Sequence, residues 1–441
     1  MLTTSALSAD AATALTGEEL HALMARLYPI CRSITGDGVR QTLDVVREYL
    51  PGLVVHEVPS GTPALDWTVP FEWNIRDAWV KNAAGVRVID FRAHNLHVLQ
   101  YSQPKHGWVA RQELEEHLFS LPEQPDLIPY RTSYYQPNWG FCLSHHQRAQ
   151  LQDEYYEVGI DSTLDPAGSL TYGELLLPGS SEEEVLLSCH CCHPSLANDN
   201  LSGMVVAVGL ARWLAQVPRR YTYRFVFAPG TIGSIVWLSR NPAAVARIRH
   251  GLVLSLLGGE GGFTYKKSRR ATAEIDRTVA LMLRDMAVPH QVVDFIPYGY
   301  DERQYCSPGF NLPVGCLSRT PYAQFPEYHT SADNLAFVQP DVLAESLLLT
   351  QEVLAALDAN CRYQNRHPYG EPELGRRGLY SPVGGASAHP DEQLALLWVL
   401  NLSDGQHSLL DIAERARLPF AQVQRAADRL LAHDLLILLP D

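Results

Sequence analysis

The stretch "EVLLSCHCCHPSLANDNLSGMVVAVGL", Glu184 to Leu210, is the one on which the fold turns. Its first residues are apolar without polar alternation and end on His190. Such a run reads as a strand buried on both faces, the kind found inside a parallel sheet. A short polar loop follows, and then a run rich in small apolar residues, "GMVVAVGL", that reads as a helix packed closely on the sheet. The same alternation continues down the chain. "YTYRFVFAPG" (Tyr221–Gly230), "HGLVLSLLGG" (His250–Gly259) and "NLPVGCLSR" (Asn311–Arg319) read as strands. "GSIVWLSRN" (Gly233–Asn241), "EIDRTVALMLRDMA" (Glu274–Ala287) and the long "DVLAESLLLTQEVLAALDANCRY" (Asp341–Tyr363) read as helices. Strands alternating with helices predict an α/β fold: a mostly parallel sheet with helices on both faces.

Two regions depart from that alternation. Between residues 60 and 165 the chain turns to Trp, Pro and β-branched residues in short alternations, as in "DWTVPFEWNIRDAWVKNAAGVRVIDF". This predicts an inserted β-rich domain, with one helical interruption at "HHQRAQLQDEYY" (His145–Tyr156). The α/β unit is then discontinuous, residues 1–59 and 166–375, and opens with two helices between Glu18 and Leu50 broken at "RSITGDG". A Gly- and Pro-rich break, "PYGEPELGRRGLYSPVGGASAHPDE", precedes three short helical segments and an apolar end, an order that suits a winged helix over 388–441.

The net charge of −14 opposes nucleic acid or an anionic membrane as partner, since both demand a basic face. The last domain follows suit: Asp391 to Asp441 carries eight acidic residues against four arginines and no lysine. The first residues, "MLTTSALSADAATALTGEELHAL", have neither a basic start nor an apolar core, so no secretory leader is expected. No apolar run approaches the roughly 20 residues of a membrane span. The eight cysteines do not follow a disulfide pattern and are expected as reduced thiols in a cytoplasmic protein. Cys189, Cys191 and Cys192 lack the second ligand pair of a zinc finger and read as packing residues.

His190 at a strand end, Asp199 before a helix, and His329 in "PEYHTSADNL" are candidate metal ligands. Active sites of α/β folds gather at the C-terminal ends of the strands. A carboxylate at a helix start is favoured in its charged form. Two His and one Asp with an open fourth position is the pattern of a catalytic zinc. His193, three residues after His190, could ligate, bond to the aspartate or substrate, or cap the loop; an orienting role is preferred.

In the order "EVLLSCH", "ANDNLSG", "FVFAPGTIGS", "EYHTSADNL", the chain resembles the zinc aminopeptidase superfamily of bacterial leucine aminopeptidases and glutamate carboxypeptidase. More closely, through "PICRSITGDGVRQTL", "DWTVPFEWNIRDA" and "YDERQYCSPGFNLPVG", it resembles a bacterial aminopeptidase-like family with an inserted β-rich domain and a C-terminal winged helix. Members of that family are often linked to polysaccharide or secondary-metabolite biosynthesis. The resemblance implies that His190, Asp199 and His329 are the ligands. It also marks departures: the superfamily's general-base Glu and the acidic ligand after it fall at Gly230 and Thr231, and its other acidic ligand falls at Leu256–Leu257. One zinc per chain is therefore expected, not two. The lost base leaves Asp301, Glu302, His193, Glu260 or Glu327 as substitutes, with Asp301 and Glu302 also candidates to receive a substrate amino group. Lys266, Lys267, Arg269, Arg303 and Arg319 are candidate partners for a substrate anion.

The expected function is zinc-dependent amide hydrolysis of a small peptide or an aminoacyl or acyl metabolite. The alternative is a metal-containing binding or scaffold protein that no longer catalyses. The insert is expected to border the pocket through Tyr134, Tyr135 and Trp139.

Overall fold

The computed structural model describes residues 15–379 and 390–440. The first fourteen residues of the leader question and the expected start of the winged helix at 388 lie outside the described residues. The described residues fall into two compact units, those within 1–271 and 291–347, and those within 272–290 and 348–441.

The first unit is built on an eight-stranded sheet. From edge to edge its strands are Val54–Pro59, Ser169–Leu177, Thr222–Ala228, Glu184–His190, Ile248–Leu254, Val314–Ser318, Phe263–Lys266 and His290–Val293. The middle pairings, Thr222–Ala228 with Glu184–His190, Glu184–His190 with Ile248–Leu254 and Ile248–Leu254 with Val314–Ser318, are parallel. Antiparallel pairs flank them. Every residue of Glu184–His190 is buried, which explains its lack of alternation. Its one charge, Glu184, is met by Arg224 (2.6 Å) and Arg247 (2.7 Å). The following helix, Gly203–Leu214, is buried along almost its whole length. It starts on glycine because a Cβ at Gly203 would collide with the carbonyl oxygen of Leu254.

The inserted segment has a four-stranded antiparallel sheet of its own, in the order Arg87–Asp90, Glu72–Lys81, Tyr155–Asp165, Lys105–Ala110. Its core is not its own. One buried apolar cluster runs from Trp73, Val80, Val109 and Ile160 in the insert through Tyr172, Leu186 and Val226 of the large sheet. The helix expected over His145–Tyr156 is only His145–Ala149; from Tyr155 the chain is already in the long strand. Trading helical turns for an eleven-residue strand secures pairing on both edges, with Glu72–Lys81 and Lys105–Ala110.

In the second unit the helices Pro390–Leu402, Leu409–Ala416 and Phe420–Ala432 stand with a three-stranded sheet of Asp404–Ser408, Arg362–Asn365 and Leu436–Leu438. The sheet thus takes a strand from well before residue 388. Ser408 and Asp411 form a capping box at the second helix. The helix Glu274–Asp285 belongs to this unit: Arg277 donates to Asp411 (2.6 Å) and Glu414, and Asp285 accepts from the amide of Phe420 (2.8 Å). Among the described residues no helix is long and apolar enough to cross a membrane.

Candidate metal centre

Asp199 is the hub of the site. It lies in a single π-type turn, Ala197–Ser202, with non-helical angles (φ −106°, ψ 89°) just before the helix Gly203–Leu214. Such irregular turns redirect a side chain out of the helical ladder and recur at functional sites. Asp333 holds the turn from behind, its carboxylate accepting from the amides of Asn198 (2.6 Å) and Asp199 (2.9 Å). Burial raises the Asp333 carboxyl to about 7 against the pull of those amides. Asn200 and Ser202 accept from the amides of Leu256 (3.1 Å) and Leu257 (2.9 Å), so the loop after the strand Ile248–Leu254 is tied to this turn through its backbone.

Three imidazoles face the Asp199 carboxylate. His190 Nε2 is 2.7 Å from Oδ1, His329 Nε2 is 2.9 Å from Oδ2, and His193 Nε2 is 4.0 Å from Oδ2. Asp199 and His190 are fully buried. Burial alone would raise the Asp199 carboxyl, but His193, His190 and His329 together hold it well below the ordinary range. Burial pushes His193 down to about 3, so it stands as a neutral imidazole. Among the described residues, His190, His193 and Asp199 form a group able to hold a metal ion, with one donor atom from each within 4.8 Å of the others. His329 bonds to Asp199 without being part of that tight group. His193 therefore stands as close to ligand geometry as to an orienting position.

Aromatic rings fix the imidazoles. Tyr300 stacks on His190 at 4.4 Å and donates to Asp199 Oδ2 at 3.0 Å. Tyr328 stacks on His329 at 3.9 Å. Tyr130, from the insert, lies 5.0 Å from both His193 and His329. His329 has a left-handed backbone (φ 55°), which costs a non-glycine residue about 1 kcal/mol or more. The insert holds it there: the Tyr130 amide donates to the His329 carbonyl (2.7 Å), the Ser331 amide to Ile128 (2.9 Å), and the Ile128 amide to Ser331 Oγ (3.0 Å). Tyr300, Tyr328, Tyr130 and Asp333 were not singled out in the sequence, although "YDERQYCSPG" and "PEYHTSADNL" contain three of them.

Gly230 opens onto His190 and Asp301. A Cβ there would sit 3.0 Å from His190 Cβ and 3.6 Å from Asp301 Oδ1. Asp301 is fully buried, accepts from Ser234 Oγ (3.0 Å) through Oδ1, and has no hydrogen-bond partner at Oδ2. Burial raises its carboxyl to about 6 against the pull of His190 and Ser234. The other candidate bases are placed differently. Glu302 is ion-paired with Lys266, and Glu260 is exposed. The remaining cations are also engaged: Arg319 with Glu345 (2.6 Å), Lys267 with Asp294 (3.1 Å) and Arg269 with Asn311 (3.0 Å). Arg303 makes no hydrogen bond through its buried Nε.

Of the aromatic wall proposed for the insert, Tyr134 reaches the site through Tyr130, their hydroxyls 3.0 Å apart. Tyr135 is half exposed beside Trp67 (5.4 Å), and Trp139 stacks on His117 (3.7 Å) inside the insert. Cys189, Cys191 and Cys192 are buried, and burial raises their thiols, Cys192 to about 12 and the other two well above their ordinary value.

A family profile described as Domain of unknown function (DUF4910) matches residues 21–360, and a winged helix-turn-helix profile matches residues 361–437. A protein of Clostridium acetobutylicum, named for polysaccharide biosynthesis and an aminopeptidase-like domain, is 49% identical over 421 residues, 96% of either chain. A crystal structure from the same organism, bearing a peptidase name, superposes with a TM-score of 0.91 at 47% identity and 96% coverage of each chain. The zinc aminopeptidase of Bacillus subtilis, 11% identical, superposes with a TM-score of 0.57 over 78% of this chain and 95% of that one, a likeness of fold.

Proposed function

The chain belongs to the DUF4910 family, and from that premise we propose that it is a single-zinc, aminopeptidase-like amide hydrolase acting on a small peptide or an aminoacyl or acyl metabolite. The observation that carries this reading is the convergence of three imidazoles on one buried carboxylate, Asp199. Neutral imidazole and carboxylate are the donors that zinc takes in hydrolases. His190, Asp199 and His329 would hold it, with His193 in reach as a further donor. When bound, zinc supplies Lewis acidity toward the amide carbonyl and the attacking water.

The chain's own side chains supply the rest. Tyr300 orients Asp199 through its hydroxyl and His190 through its ring. Asp301 takes the base role that Gly230 cannot fill, since its carboxylate lies beside the position a side chain at 230 would occupy. At about 6 it is ionised at neutral pH yet basic enough to bind a proton transiently. It accepts the proton of the attacking water and returns it to the amine nitrogen as the C–N bond breaks. Tyr130 and Tyr134 narrow the approach, in keeping with a small substrate. The relative's polysaccharide-biosynthesis name supports an acylated amino sugar among such metabolites. This reading places the chain in the cytoplasm. For the winged helix this reading assigns a structural or docking role rather than nucleic acid. Its third helix presents Asp428 beside Arg425 and Arg429, and Arg429 faces Glu392 at 3.7 Å.

Gly230 itself supports a second reading, a metal-holding binding protein without turnover. The test is zinc-loaded hydrolysis of aminoacyl arylamides and small N-acyl amines by the wild type, Asp301→Asn and Gly230→Glu. The proposal expects turnover by the wild type and a loss of roughly 10²- to 10⁴-fold in Asp301→Asn. Turnover by Gly230→Glu alone would establish the second reading instead.

A further inference from the structure

One face of Tyr300 closes on His190, and the same residue lines a cavity of about 310 Å³. The cavity thus begins one ring away from the candidate metal. Its walls include Leu256, Val293, Ile296 and Tyr322, but Lys266 and Glu302 also line it. These two form a buried ion pair, and Lys266 Nζ also donates to the Tyr298 carbonyl at 2.8 Å. Glu302 Oε2 has no hydrogen-bond partner, although buried polar atoms nearly always have one. The backbone crosses close over the pair at Gly299 (φ 147°), where any Cβ would strike both charged groups. Neither the metal reading nor the proton transfer uses this pair.

We infer that the cavity is the specificity pocket for the substituent on the carbonyl side of the amide, and that the Lys266–Glu302 pair selects an uncharged substituent with a hydrogen-bonding tip, a hydroxyl or a carboxamide. The inference rests on the metal reading, since Tyr300, which bonds to Asp199 and stacks on His190, also lines the cavity. The volume lies at the small end of ligand pockets, which run from roughly 300 to 1,000 Å³, and suits one side chain. Apolar walls bury the stem of that group. At the tip, a hydroxyl or carboxamide can donate to Glu302 and accept from Lys266, both charge-assisted bonds. An ammonium or carboxylate would lose its hydration and meet a pair whose charges already cancel.

Binding of hydroxamates R–CO–NHOH to the zinc-loaded full chain, measured by calorimetry, tests this without turnover. Acetohydroxamate, which has no group for the pocket, sets the baseline. The hydroxamate of 4-hydroxyphenylacetic acid is expected to bind about tenfold or more tighter than the baseline, as one charge-assisted bond plus buried apolar area would give. The succinic and 4-aminobutyric hydroxamates are expected to gain nothing. Lys266→Met, which frees the carboxylate, should tighten the ammonium-tipped probe about tenfold, and Glu302→Gln should do the same for the carboxylate-tipped one. The double variant, neutral again, should favour neither charge. Tip chemistry without effect in the wild type, or single variants that leave the charged probes unchanged, would overturn the pocket while acetohydroxamate binding left the metal reading in place. Failure of acetohydroxamate itself to bind would overturn both.

Discussion

Gly230 and Asp301 are neighbours: a carboxylate from another loop stands 3.6 Å from where a Cβ at residue 230 would lie. Burial raises the Asp301 carboxyl from 3.8 to about 6. A base works only when ionised, so kcat should rise with pH through about 6 and level off above it. Asp301→Asn should remove that limb as well as most of the rate, with zinc content unchanged; a limb that survives in Asp301→Asn would assign it to another group. For the ligands, His190→Ala should abolish zinc binding, while Cys191→Ser and Cys192→Ser should retain it, because the donor group found among the described residues is His190, His193 and Asp199, with no cysteine in it. Elemental analysis of the three variants checks this. His190, Asp199 and His329 could be put forward from the sequence because His190 ends a strand, Asp199 precedes a helix and His329 lies in a polar loop before the last long helix, and the structure brings the three side chains together. Tyr130 and Tyr300 were not, because a ring that stacks across the chain leaves no local pattern.

At the scale of elements, the strand Glu184–His190 and the helix Gly203–Leu214 were readable from apolar continuity and small residues. The turn between them was not, since "ANDN" reads as any polar loop. What gives the turn its shape is a set of backbone hydrogen bonds to Asp333, Asn198, Asn200 and Ser202, all decided by tertiary packing. Gly203 locks it against the sheet. Gly203→Ala forces a methyl against the Leu254 carbonyl and the Asn200 amide and should cost about 1–3 kcal/mol. Urea unfolding of the metal-free protein measures that cost, and a zinc titration should show weakened affinity as Asp199 shifts. An unchanged midpoint and affinity would mean that the turn is not held as described. The shortened helix at His145–Ala149 teaches the converse: a helical pattern yields where a strand gains two neighbours.

Across the whole molecule, the alternating pattern announced the mostly parallel sheet, and the C-terminal order of segments announced the winged helix. The core shared between insert and large sheet was not announced, because composition marks where a sheet changes type but not whether its buried face is shared. Nor was the helix Glu274–Asp285 as part of the second unit, since its ties are side-chain bonds to Asp411, Glu414 and the Phe420 amide. With four arginines against eight acidic residues in its last 51 positions, the winged helix should not shift duplex DNA at low salt. A tight, sequence-selective complex in a mobility-shift assay would contradict that assignment. The central claim is a single zinc held by His190, Asp199 and His329, and calorimetric titration of the metal-free full chain with zinc tests it most directly. The account predicts about one equivalent bound tightly, and none in Asp199→Asn. Two tight equivalents, or undiminished binding in Asp199→Asn, would contradict it.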